Sequence, residues 1–282
     1  MTQINRRTVA LVPVAALAAA AAVPAGRALA ADPADPALAV VDMEAAVKAA
    51  QIDPRRADHT LTPGAKASVL AIERALQARR LLAAEWVDGY FGSQTVAAYT
   101  AYQRSLGYRG LAANGIPGRA SLSQLGRGRF TVTRPVGPGV RTTWTGKTVN
   151  ARTAAMLRAA QRRAGVRIVL DQGSYNPGGD PTSVGTHDGG GVVDINVRRM
   201  PTATRTALLR ALRRVGFAAW LRNPQQDDWP WHIHAVAISD TDLAPQAQHQ
   251  VGDFYLGLNG LSGRDPDDGP RVVIRTWEEV QR

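Results

Sequence analysis

Between Gly173 and Gly191 the chain runs through Gly, Pro, Asp and Ser in a stretch that neither a helix nor a strand can absorb. It closes on three consecutive glycines, Gly189-Gly190-Gly191, directly before the β-branched run from Val192 to Val197. A long loop of this kind needs a rigid frame to hold its ends, and the flanking sequence supplies one. Val166 to Leu170 and Trp231 to Ile238 read as two further strands. Asn150 is positioned to cap a helix that runs to Ala164 and stops at Gly165. Thr202 to Val215 reads as a basic amphipathic helix closed by Gly216. Strands separated by helices predict an α+β arrangement built on a short antiparallel sheet over 147–262.

Upstream, the periodicity predicts a smaller helical unit over 60–127. Val69, Ile72 and Leu76 recur at three and four, and turns fall at Asp88-Gly89 and Asn114-Gly115. The fold class expected is therefore α+β, with a small three-helix N-terminal domain and a mixed second domain. Residues 31–59, which carry Asp-Pro pairs around a short Ala-rich stretch, read as a linker. So do the Gly-, Pro- and Arg-rich residues 128–146, and 263–282 read as a C-terminal tail. Residues 1–30 have the layout of a cleaved leader: Arg6-Arg7, an apolar stretch from Val9 to Val23, and Ala28-Leu29-Ala30. That stretch falls short of the roughly twenty residues needed to span a bilayer. Export without stable membrane insertion is the expectation, and the Arg pair resembles a twin-arginine leader.

Composition removes several functions. With no cysteine, the chain has no disulfide, no thiolate zinc site, no iron–sulfur cluster and no cysteine nucleophile. The net charge of +11 comes from 34 Lys plus Arg against 23 Asp plus Glu. No basic run is interleaved with aromatics, so nucleic acid is not expected as a partner. A polyanionic cell wall suits the same charge.

The chemistry-bearing residues cluster. Alternation along a strand puts His232 and His234 on one face of the Trp231–Ile238 segment, about 6.6 Å apart. Asp194 lies among β-branched residues, where an ionised carboxylate is costly without a cation beside it. The glycine run allows the loop to fold back and bring His187 to that carboxylate. Two imidazoles and one carboxylate, with a fourth position open to water, suit a catalytic zinc ion.

Two resemblances follow from these motifs. His187-Asp188-Gly189-Gly190-Gly191-Val192-Val193-Asp194, followed by His232-Ile233-His234, resembles the zinc DD-peptidase family over about 146–250. That family includes bacterial D-Ala-D-Ala carboxypeptidases and endolysin peptidases, and its fold also carries the hedgehog signalling domain. The resemblance implies Zn2+ held by His187, Asp194 and His234, with His232 beside the site, orienting groups or stabilising the oxyanion. It also implies a catalytic acid, which many members carry three residues before the last ligand, where this chain has Trp231, and which the hedgehog-like spacing puts four residues before the His pair, at Asp228. Separately, Asp88-Gly89-Tyr90-Phe91-Gly92, Tyr102-Gln103 and Asn114-Gly115-Ile116-Pro117-Gly118 resemble the three-helix peptidoglycan-binding domain, with Asn114 standing where that family usually has Asp. Together they imply a secreted, wall-anchored zinc metallopeptidase acting on peptidoglycan stem peptides or cross-links. The alternative is a cell-wall-binding or metal-binding protein of the same fold without turnover.

Overall fold

The computed structural model describes residues 38–282; the expected leader 1–30 lies outside them. The first elements are a strand β1 (Ala39–Asp42) and a helix α1 (Met43–Ile52). Asp42 caps α1 by accepting from the Ala45 amide at 3.2 Å. Three helices follow: α2 (Lys66–Gln77), α3 (Ser93–Ser105) and α4 (Arg119–Leu125). The strand β2 (Phe130–Thr133) then returns to pair with β1 in parallel. Val69, Ile72 and Leu76 meet Phe91, Tyr99, Tyr102, Leu122 and Leu125 in one core, and Met43 and Val47 of α1 belong to it.

The linker expected over 31–59 is therefore corrected over its described part. An Ala-rich helix buries little area per residue, but small side chains let it approach a neighbour closely, and α1 is buried over most of its length. The linker expected over 128–146 is corrected as well. Phe130 and Val136 are buried, and β3 (Arg141–Trp144) and β4 (Lys147–Asn150) form a hairpin there. Proline and glycine marked the turns correctly, but not the apolar anchors between them.

One buried acid makes the first core sensitive to pH. Glu73 is fully buried, and its carboxylate accepts from the Gly89 amide at 2.8 Å and the Thr95 hydroxyl at 3.0 Å. Burial outweighs those bonds and raises its pKa from 4.5 to about 7. The folded chain then keeps a proton that the unfolded chain has released, so this group's contribution falls as pH rises from 4.5 to about 7 and is level above. Glu73→Gln keeps the shape without the charge. Its stability relative to the parent should increase across that window by roughly 3 kcal/mol, measured as thermal or urea midpoints at a series of pH values. Parallel pH profiles would contradict the assignment.

The second part of the chain holds a four-stranded antiparallel sheet. In chain order come α5 (Ala151–Ala164), β5 (Leu170–Gln172), β6 (Val192–Asn196), α6 (Thr202–Arg214), β7 (Phe217–Arg222), the short α7 (Pro224–Asp227), β8 (His232–Ala237) and α8 (Pro245–Tyr255). The strand order is β5-β6-β8-β7. Asn150 caps α5 by accepting from the Thr153 amide, and Gly165 ends it in the left-handed region. On one sheet face Val193, Ile195, Ile233 and Ala235 pack with Leu157 of α5 and Leu208 and Leu212 of α6. On the other, Val192, Ala218 and Val236 pack with Ala247, Val251 and Phe254 around α8. Helix α8 covers only one end of that face, and the polar residues extend beyond it.

Residues 263–282 are likewise no free tail. Thr276 caps a last helix α9 (Trp277–Gln281) and donates its hydroxyl to Glu44 of α1 at 2.9 Å, while Glu278 pairs with Arg152 of α5 at 2.7 Å. Both parts of the chain lie in one compact unit, Leu38–Arg282. The architecture is mixed α+β. Among the described residues no helix is long and apolar enough to cross a membrane.

Candidate metal centre

Antiparallel register sets the site. Asp194 on β6 faces His234 on β8, which faces Trp220 on β7; one row on, Asn196 faces His232, which faces Arg222. Alternation puts all six side chains on the sheet face that carries α8; Trp220 packs on Phe254 of that helix and His234 meets its Gln250, and the remaining residues of the two rows extend toward the cavity. His187 arrives from the 173–191 loop, which is laced to itself: the Tyr175 amide donates to Gly189 at 2.7 Å and the Asn176 amide to His187 at 3.0 Å. The loop is pressed against the segment after β8, where the Gly190 amide donates to Asp242. A Cβ on Gly190 would lie 2.6 Å from the Tyr175 hydroxyl and 2.8 Å from the Asp242 Cβ, so only glycine fits.

His187, Asp194 and His234 converge, each offering a ligand atom within 4.8 Å of the others. His187 Nε2 is 3.2 Å from Asp194 Oδ2, and His234 Nδ1 is 2.9 Å from Asp194 Oδ1. The outer nitrogens fix the tautomers. His187 Nδ1 lies 2.8 Å from the Gly173 carbonyl, which only accepts, so this nitrogen carries the proton. His234 Nε2 lies 2.9 Å from Gln250 Oε1, and the Gln250 amide nitrogen donates to the Gly260 carbonyl at 3.1 Å. The amide oxygen is thereby aimed at His234, whose Nε2 must be the donor. Both inner nitrogens then present lone pairs to an ionised carboxylate, and His187 Nε2 is buried without a hydrogen-bond partner. Three acceptors facing one another require a cation between them, either a proton or a metal ion.

The ionisation tendencies agree. Burial acts to raise the Asp194 carboxyl, but the two imidazoles outweigh it and hold it well below the usual carboxylate range. Burial lowers both histidines. For His187 the Asp194 charge overcomes that and leaves it raised, whereas His234 stays lowered. In the absence of metal a proton on His187 plays the cation's part, so proton and metal compete for one lone pair. The buried His-Asp-His group can hold a metal ion, with its outer nitrogens already anchored.

His232 is partly buried beside this group. Its Nδ1 donates to the Pro230 carbonyl at 2.8 Å, which leaves Nε2 a free acceptor 3.8 Å from Asp194 Oδ1. The site opens into a cavity of about 530 Å³. Asp228, expected as the catalytic acid, does not line it; Asp227 does. Asn223 forms a capping box on α7, and that short helix ends with Asp228 as its exposed C-cap at φ 52°. The cap, not Pro230, decides which of the two acids faces the cavity. Trp229 stands on the cavity wall and meets the His232 ring edge-on at 6.1 Å. Trp231 faces the opposite side of the sheet, under Arg205. Sequence reasoning missed Gln250, Arg222 and Gln172; an anchoring amide on a helix and donors on edge strands leave no spacing signal.

The chain matches no protein-family model, and neither a curated protein nor a solved structure matches it.

Proposed function

We propose that the chain is an exported zinc-dependent peptidase that hydrolyses amide bonds in the stem peptides or cross-links of peptidoglycan, acting at the cell wall with residues 60–127 as a wall-binding unit. The observation that carries this reading is the pair of imidazole lone pairs, His187 Nε2 and His234 Nδ1, turned onto the Asp194 carboxylate by partners that only accept. Two nitrogens and one oxygen from three residues suit zinc in a catalytic site, which leaves a position free. When bound, zinc supplies Lewis-acid activation of water and of the amide carbonyl. The protein's own groups supply the rest. His232 Nε2 takes the proton from the attacking water and delivers it to the leaving amine. Its Nδ1 bond to Pro230 fixes the tautomer that makes this possible. Trp229 holds the His232 ring from the cavity side. The wall-binding role rests on the resemblance of the Asp88-Gly89 and Asn114-Gly115 turns. In each, the Asx side chain accepts from the amide two residues on, at 2.8 and 3.0 Å.

One observation favours a second reading, a metal- or wall-binding protein without turnover: the carboxylate expected to serve as base is absent from the cavity wall. Mass spectrometry of purified wall fragments separates the two. The zinc-loaded chain should release stem-peptide fragments, and a chelator should stop it. His232→Gln should retain its zinc and lose two or more orders of magnitude in rate, while Asp228→Asn stays near the parent. An intact fragment spectrum from a fully zinc-loaded chain would establish the second reading.

A further inference from the structure

The two helices that back the sheet carry outward charge of one sign only. Neither α5 nor α6 contains an acid. No Asp or Glu occurs from Gly89 to Leu170 or from Ile195 to Gln226. Burial divides the arginines of these helices. Arg152 and Arg213 point inward and pair with Glu278 and Asp267. Arg158, Arg162, Arg163, Arg210 and Arg214 are exposed and enter none of the ion pairs found among the described residues. The helix dipole accounts for Arg162, Arg163 and Arg214, which lie in the last turns. It does not account for Arg158 and Arg210, which lie a turn earlier. Each of those two stands four residues before another exposed arginine, Arg158 before Arg162 and Arg210 before Arg214, a spacing at which like charges repel along a helix.

Helices α5 and α6 pack against each other on the sheet face opposite the metal centre. Four residues along a helix are about 6 Å of rise, and packed helices lie about 8–10 Å apart. The outer surface is therefore a double row of guanidinium groups with no acid among them. We propose that this face of α5 and α6 binds a linear polyphosphodiester of the cell wall, a polymer with one negative charge per sugar-alcohol repeat. A guanidinium can donate two N–H groups to one phosphate, and a flexible chain can follow both rows. What the face lacks decides against other polyanions. Apart from arginine its outward positions are Ala, Thr and Gln, and the apolar stripes with Leu157, Leu208 and Leu212 are spent in the core. Nothing apolar is left to enter a lipid surface, and no aromatic is left to stack on a nucleobase. The cavity on the other sheet face mixes both signs, with Asp171, Asp180 and Asp227 beside Lys147 and Arg198. A polyanion is accordingly drawn to the back of the sheet, and the cavity stays open while the chain is held. This binding needs neither the metal ion nor the cavity and goes beyond the peptidase reading.

The test measures fluorescence anisotropy of labelled poly(glycerol phosphate) with the full exported chain, metal-free, over a series of salt concentrations. The parent should bind, with affinity falling as salt rises. A variant carrying Arg158→Gln, Arg162→Gln, Arg210→Gln and Arg214→Gln should bind roughly tenfold or more weakly, with a shallower salt dependence. A control carrying Arg104→Gln, Arg119→Gln, Arg127→Gln and Arg129→Gln removes the same charge from exposed positions of the helical part. It should stay within about threefold of the parent. Equal losses in the two variants would show that net charge, not this face, does the binding, and would overturn the proposal. So would a parent that does not bind the polymer, or one that binds phosphatidylglycerol vesicles or a single-stranded oligonucleotide more tightly than the polymer. Those comparisons use the unaltered chain, so they do not depend on a variant folding. Failure of the peptidase reading shows in the wall-fragment spectrum and leaves this binding untouched.

Discussion

His187→Ala should empty the metal centre. A three-residue site that loses one imidazole keeps only His234 and Asp194, and the remaining histidine then needs a proton to offset the carboxylate 2.9 Å away. The expected result is a fall from about one zinc per chain to under a tenth after dialysis, with hydrolysis lost alongside. Asp194→Ala and His234→Ala should behave the same way. His232→Ala should keep the ion, because its nearest approach to Asp194 is 3.8 Å. In the parent, affinity should fall as pH drops, since the proton and the metal compete for His187 Nε2. Metal analysis of the four purified variants at one pH checks the set, and full retention by His187→Ala would remove that residue from the ligand shell.

Removing residues 38–127 should abolish folding of what remains, not merely loosen its hold on the wall. Gln51 of α1 spans the junction, accepting from the Ser239 amide at 2.9 Å and donating to the Asp240 carbonyl at 3.2 Å. The Asn114 amide donates to the carbonyls of Thr241 and Leu243 at 2.9 and 3.1 Å. These bonds hold the 239–244 segment, and the glycines that carry His187 into the site rest on that segment. At Gly252 α8 comes so near α1 that a Cβ would sit 2.8 Å from the Gln51 carbonyl. Deletion uncovers the side of α8 that meets α1 at Gly252, takes Arg55 away from Asp253, and leaves several buried polar groups unpaired at about 1–3 kcal/mol each. That exceeds a large part of a typical net stability of about 5–15 kcal/mol. The full chain should unfold in a single cooperative calorimetric transition, whereas 128–282 alone should give none and bind no zinc. A cooperative transition and a bound ion in 128–282 would show the two parts to be independent.

The same contacts explain what was legible in the sequence. His187, Asp194, His232 and His234 could be brought together on paper because strand alternation fixes faces, and three glycines leave the loop no bulk to hold it away. β7 escaped because Phe217-Ala218-Ala219-Trp220-Leu221-Arg222 is covered on both faces along most of its length, which erases the period-two signal, and Arg222 escaped with it. Gln250 anchors His234 from a helix sixteen residues away, and no local pattern encodes that meeting. Asn114 looked like a weak departure from an Asp-Gly turn. Its amide donates to two carbonyls of the sheet-bearing part, which a carboxylate could not do. The linkers failed for one reason: proline and glycine report where a chain turns, whereas burial of Met43, Val47, Phe130 and Val136 depends on partners distant in sequence.

The metal centre itself is tested most directly by X-ray absorption at the zinc edge on the purified chain, after dialysis against metal-free buffer near neutral pH. The expected spectrum is that of one retained ion per chain with two imidazole nitrogens at about 2.0–2.1 Å and carboxylate oxygen at about 2.0–2.2 Å. A chain that retains no ion, or an ion whose first shell lacks imidazole, would contradict the account.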